Sequence, residues 1–207
     1  MTALEMSTRD LAELVLAAPR SGHRRLVALA GAPASGKSTL AEALASELHS
    51  QGCAAQVVPL DGFHLHNQIL IDRGLLPYKG APDTFDALGF AHLVGRLHDE
   101  TEVYYPVFDR ARDIAIAGAG YIGEVCDTVI IEGNYLLFNA PVWKTLHGHW
   151  DLSIRLDVPL ETLNARLVGR WLAHGLSPDQ AHARAAENDL ANAALIAGAQ
   201  LPADITI

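Results

Sequence analysis

The sequence predicts an α/β protein: one parallel sheet with helices on both faces, a three-layer sandwich. Three observations lead there. Short apolar runs alternate along the chain with segments of helical periodicity, and strands joined through helices run parallel and are covered on both sides. The apolar runs are continuous rather than alternating, as strands buried on both faces are. Between the first run and the helix after it lies Gly31-Ala32-Pro33-Ala34-Ser35-Gly36-Lys37-Ser38-Thr39. It reads G-x-x-x-x-G-K-S, a phosphate-binding loop, and such a loop needs a strand before it and a helix after it.

Residues 1–207 are expected to fold as a single domain, with a core over 26–207 behind a helix over 7–18. In that helix Leu11, Leu14, Val15 and Ala18 share a face, and Ser7 or Thr8 is the N-cap. Leu26 to Ala30 is the first strand. After the loop, Leu40, Leu44 and Leu48 line a helix that closes near Gly52. Ala54 to Leu60 is the second strand and delivers Asp61-Gly62-Phe63-His64. Leu65 to Leu76 has an irregular helical pattern, and the breaker-rich Pro77 to Asp86 forms a loop at the substrate mouth. A helix from Ala87 to His98 turns Leu88, Ala91, Val94 and Leu97 inward. Val103 to Asp109 is short and aromatic, while Asp113 to Ala117 pairs with Tyr121-Ile122 as a small hairpin. Asp127 to Ile131 is a strand ending at Glu132-Gly133-Asn134, and Asp151 to Leu156 is the next. Pro159 opens helices that run to about Ala197, and Asp204 to Ile207 supplies the last strand.

Composition narrows the function. The formal charge is −9, from 15 Lys and Arg against 24 Asp and Glu, and a nucleic-acid surface needs clustered Lys and Arg. No apolar run is long enough to span a membrane. Met1 to Glu5 lacks the layout of a signal peptide. Cys53 and Cys126 lie far apart and form no C-x-x-C pair, which fits two buried thiols in a reducing, cytoplasmic setting. Monomer and homodimer both remain open.

The chemistry converges on strand ends. In open α/β sheets ligands sit beyond the carboxyl ends of the strands, and three of these end at Gly31, Asp61 and Glu132. The glycines of the loop let backbone wrap a phosphate, and the first-turn amides of the following helix point at it. Lys37 is placed to reach the β- and γ-phosphates of ATP, and the Ser38 hydroxyl to ligate Mg²⁺. Asp61 and Glu132 can hold the same metal, directly or through water, and Asp61 can take a proton from an attacking hydroxyl. Arg166, Arg170 and Arg184 are candidates for a lid arginine over the γ-phosphate. His64 is a substrate hydrogen-bonder or a loop histidine; Lys79 is a substrate contact or a surface lysine; Asp86 is a substrate contact or a helix N-cap. A guanine-specific N-K-x-D and an L-S-G-G-Q signature are both missing from the sequence, which favours a kinase over a P-loop nucleotide switch or a transporter motor.

The loop, Asp61-Gly62-Phe63-His64, the stretch Lys79 to Asp86, Pro106-Val107-Phe108-Asp109 and Ile130-Ile131-Glu132-Gly133-Asn134-Tyr135, in this order, resemble the phosphoribulokinase, uridine kinase and bacterial pantothenate kinase superfamily. Within it the resemblance is nearest to a bacterial branch of fructose transport system kinases, and it spans Leu26 to Ile207. It implies a P-loop NTPase fold and a kinase that moves the γ-phosphate of ATP, with Mg²⁺, to a hydroxyl of a small metabolite. The branch implies a fructose-like sugar; pantothenate and nucleosides are the alternatives. It implies Asp61 as catalytic base near the metal, Glu132 as the acidic residue assisting Mg²⁺, and Lys79 to Asp86 as the acceptor side. Arg166 and Arg170 match its paired lid arginines, with the lid within 166–190 and Arg170 catalytic. Nucleoside kinases carry an acidic residue where this chain has Gly80, and a tyrosine-containing stretch where it has Pro106 to Arg110. Both departures point away from a nucleoside and leave Arg110 as a substrate contact.

Overall fold

The computed structural model describes residues 6–207. Met1 to Glu5, where the sequence has no signal-peptide layout, lie outside the described residues. In chain order the elements are α1 (Thr8–Ala17), β1 (Arg25–Gly31), α2 (Lys37–Ser50), β2 (Ala55–Pro59), α3 (Asn67–Asp72), α4 (Ala87–Asp99), β3 (Val103–Asp109), β4 (Ile114–Ile122), β5 (Thr128–Gly133), β6 (Leu152–Leu156), α5 (Leu160–Ala173), α6 (Pro178–Arg184), α7 (Ala191–Gly198) and β7 (Ile205–Thr206). One turn of π-helix, Ala185–Leu190, joins α6 to α7.

Five strands form a parallel sheet in the order β2-β5-β1-β6-β7. β1 and β5 are its most deeply buried members, and their unbroken apolar runs are what burial on both faces demands. On one face α1 and α2 pack Leu11, Val15, Leu44 and Leu48 against Val27, Leu29 and Ile130. On the other, Phe90, Leu93, Val94 and Leu97 of α4 join Trp143 and Tyr135 over Leu26, Ala28 and Ile131. The three-layer α/β arrangement is the one expected.

Register places the chemistry. Glu132 of β5 pairs with Leu29 of β1 on one side and Pro59 of β2 on the other. The Glu132 carboxylate therefore stands between the loop leaving β1 and Asp61, which follows β2 by two residues. Gly62 is required by close approach: a Cβ there would run into the Pro106 carbonyl of β3.

Some local expectations change. Ser7 caps α1 in a capping box with Asp10, but its buried face is Leu11, Ala12 and Val15, and Leu14 is 40% exposed. In α4 the cap falls at Asp86, which puts Leu88 in the first turn facing water and gives its buried place to Phe90. The helix expected over 65–76 is only α3, followed by a short 3₁₀ turn at Leu76–Tyr78. The hairpin is also different: β4 runs through Tyr121 and pairs antiparallel with β3 at both of its ends, the register shifting between Tyr105 and Val107.

At the amino ends of the strands lies a polar brace. Asp127 accepts from Arg20 (2.7 Å) and Arg25 (3.0 Å), and Asp151 accepts from the Leu26 amide (2.8 Å). Arg24, fully buried, donates to the carbonyls of Leu97, Glu100 and Thr101 at 2.8–2.9 Å and so closes the carboxyl end of α4.

Candidate active site

The phosphate loop is bent by two left-handed residues, Ala34 (φ 62°) and Gly36 (φ 98°), the latter the N-cap of α2. With no side chain capping α2, its first-turn amides stay free to receive an anion. From above, Arg166 of α5 donates to the Ala34 (3.2 Å) and Ser35 (3.1 Å) carbonyls. That contact fixes the loop's outer wall and directs its amides the other way.

A cleft of about 570 Å³ opens beside the loop. Pro33, Ala34, Lys37, Ser38, Asp61, His64, Lys79, Arg110, Glu132 and Arg170, all expected from sequence, line it together. Gly36 and Thr39 border a smaller depression of about 260 Å³ with Arg166 and Arg170. Gly31 and Ala32 face a third cavity, of about 450 Å³, behind the loop. Ser35 is buried under the loop, close enough to Gly31 that a Cβ there would meet its hydroxyl at 2.6 Å. Asp86 is elsewhere. Its carboxylate accepts from the Gly89 amide at 2.9 Å as the cap of α4, and it does not line the cleft.

Charges in the cleft are strongly coupled. Burial lowers the Lys37 ammonium and raises the Glu132 carboxyl from their usual ranges; each partly restores the other, and the Ser38 hydroxyl also helps hold Glu132 ionised. Asp61 Oδ2 accepts from Arg110 at 2.7 Å. Lys79 donates to Asp113 Oδ1 (2.8 Å) and Asn67 Oδ1 (2.7 Å) and lies 5.0 Å from the centre of the Phe108 ring. His64 is packed between Phe85 and Phe108, at ring separations of 4.1 and 4.8 Å. Burial lowers its pKa, opposed by Asp61, which favours the neutral ring. Its Nδ1 pairs at 2.8 Å with the Asp61 carbonyl, which can only accept, so Nδ1 carries the proton and Nε2 remains an acceptor.

The donor set suits a hard divalent cation. Glu132 is 4% exposed, and its Oε2 has no hydrogen-bond partner among the described residues. A buried carboxylate oxygen without a partner, beside a hydroxyl and a second carboxylate, is oxygen-only chemistry of the kind Mg²⁺ uses. Among the described residues no group of three or more His, Cys, Asp or Glu forms a closed cage.

Several cleft residues carried no sequence signal. Asn188, Asp189 and Asn192 line it from the π turn and α7, and a 3.6-residue period cannot foresee a widened turn. The Tyr135 hydroxyl donates to the Gly80 carbonyl at 2.6 Å, and Arg184 donates to the Pro77 carbonyl at 2.7 Å. Those two contacts tie the 76–84 segment to the end of β5 and to α6.

No family profile matches the chain. It is 34% identical over 200 residues to a Schizosaccharomyces pombe protein provisionally named a uridine kinase, covering 89% of this chain and 83% of that one. It is 36% identical over 171 residues to the uncharacterized Escherichia coli protein YggC, covering 80% and 70%. A crystal structure from Silicibacter, of a protein provisionally named a fructose transport system kinase, is 58% identical, with a TM-score of 0.94 over 98% of this chain and 99% of that one. With the strand–loop–helix phosphate site and the cleft beside it, these relatives show that the chain belongs to the P-loop kinases related to uridine kinase, phosphotransferases that act on a hydroxyl of a small molecule.

Proposed function

We propose that this chain transfers the γ-phosphate of ATP to a hydroxyl of a sugar-like metabolite, fructose-like in size and polarity, with Mg²⁺ as cofactor. The observation that carries the reading is the meeting of Lys37, Ser38, Asp61 and Glu132 in one cleft. The chain acts as one catalytic domain with its lid within 166–190.

In this reading the α2 amides and Lys37 bind the β- and γ-phosphates, and Ser38 and Glu132 hold the metal. Mg²⁺, when bound, neutralises charge that develops on the phosphate oxygens. Arg110 takes Asp61 Oδ2, which leaves Oδ1 to orient the acceptor hydroxyl and receive its proton late in transfer. Arg170, on the lid side of the cleft, meets the phosphoryl group as it moves. His64, neutral and walled by phenylalanines, offers an acceptor nitrogen to a second hydroxyl. Lys79, held by Asp113 and Asn67, shapes that wall.

The test is ADP release by the purified protein, with ATP and Mg²⁺, across a panel of sugars, polyols, nucleosides and pantothenate. Release is expected to depend on an added sugar or polyol. Lys37→Ala should lower it by roughly 100-fold or more, since one preorganised charge at such a transition state is worth about 3 kcal/mol. A wild-type protein whose ATP turnover ignored every acceptor would sink the proposal.

A further inference from the structure

The π turn at Ala185–Leu190 widens the helical path between α6 and α7. Such turns re-aim side chains and recur at functional sites. Around this one Asn188, Asp189 and Asn192 are 5%, 9% and 6% exposed, and all three line the cleft. Asn188 is engaged within the protein: its Nδ2 donates to the Lys79 carbonyl (2.9 Å), and its Oδ1 accepts from Asn192 (3.3 Å). Asp189 is only half engaged. Its Oδ2 accepts from Trp171 Nε1 at 2.7 Å, while among the described residues Oδ1 has no partner and neither oxygen forms a salt bridge. Burial raises its pKa, opposed by the Trp171 hydrogen bond and by Arg170 and Arg184. Asp189 Oδ1 opens on the cleft, where it can accept a hydrogen bond from a ligand.

Three cations on this side of the cleft are already engaged. Lys79 is paired with Asp113 and Arg110 with Asp61. Arg184 is drawn onto the Pro77 carbonyl and lies 5.3 Å from the Trp171 ring. Arg170 also lines the cleft and its charge reaches Asp189; in the kinase reading it is committed to the transferring phosphoryl group, so an acidic acceptor would meet the carboxylate of Asp189 with no further cation to balance it. We infer that Asp189 is a specificity-determining residue that accepts hydroxyl hydrogens of an uncharged polyol, with Asn192 beside it, an assignment that rests on the kinase reading above. The site selects neutral polyols against acids of the same carbon skeleton.

The experiment measures ADP release with matched acceptors, each neutral polyol beside the acid that carries a carboxylate in place of its terminal carbinol. The wild-type protein should favour the neutral member by about tenfold or more, because a like charge then faces Asp189. Asp189→Asn keeps an oxygen for Trp171. It should raise KM for the neutral acceptor about tenfold to hundredfold, the effect of losing a hydrogen bond to a charged group, with KM for ATP within about twofold. Asn192→Ala is read in parallel and should show the same acceptor-only rise, so that poor folding of one variant does not decide the outcome. A wild-type preference for the acid, or acceptor KM values unmoved in both variants, overturns the inference and leaves the kinase reading standing. Wild-type turnover that ignores every acceptor overturns both.

Discussion

Asp61 has one carboxylate oxygen on Arg110, and the other is the one the proposed function gives to the acceptor, so Asp61→Asn keeps the shape of the site and removes the proton's destination along with the charge paired to Arg110. ATP affinity by calorimetry should be nearly kept, and turnover should fall about 10²–10⁴-fold, the span of general-base effects; normal turnover would make Asp61 a turn residue. Glu132 is the complementary case. Its buried Oε2 has no partner among the described residues, and in the proposed function it helps hold the metal, so Glu132→Gln should raise the Mg²⁺ concentration at half-maximal rate. An unchanged midpoint would return Glu132 to a structural role. Both carboxylates were legible in sequence because each ends an apolar strand, and strand ends in a parallel sheet face one crevice. Asp86 was legible only as an alternative between substrate and cap, which the Gly89 amide resolves in favour of the cap. The Lys79–Asp113 pair joins residues in different loops, and no local pattern announces it.

Among the elements, α4 depends on a residue outside itself. Arg24, buried and in no salt bridge among the described residues, satisfies the carbonyls at the end of that helix. Arg24→Ala would strand them in the core beside a cavity and should cost about 3 kcal/mol or more, read as a lower urea midpoint. Arg24→Lys should recover only part, since an ammonium lacks the planar fork that reaches several carbonyls at once. A variant as stable as wild type would show the carbonyls to be satisfied by water. Element order and type were readable because continuous apolar runs and 3.6-residue stripes are strong signals. The β3–β4 hairpin was not. Its pairing rests on the Tyr105 ring lying over Gly120, a contact between strands that neither strand's own sequence displays. Gly118, at φ 65° inside β4, further disguises a strand as a turn.

Across the whole molecule, pH acts with two signs. His64 has a pKa below its usual 6.5 because burial disfavours the charged ring, so the unfolded chain binds the extra proton and stability falls as pH drops through that value. Glu132 and Asp189 are raised instead, so their burial penalty eases on acidification. The His64 contribution can be isolated by difference: between about pH 7 and 5 the wild type should lose more stability than His64→Gln. Parallel urea-midpoint curves for the two proteins would remove His64 from the balance. A last consequence belongs to α5. One 14-residue helix grips the phosphate loop through Arg166 and holds Asp189 through Trp171, so it touches both of the proposed substrate sites. Thermodynamic reciprocity then applies: whatever factor a non-hydrolysable ATP analogue contributes to acceptor affinity, the acceptor must return to the analogue. Calorimetry in both orders should find that factor greater than one, and a factor of one would make α5 a spacer rather than a coupling rod.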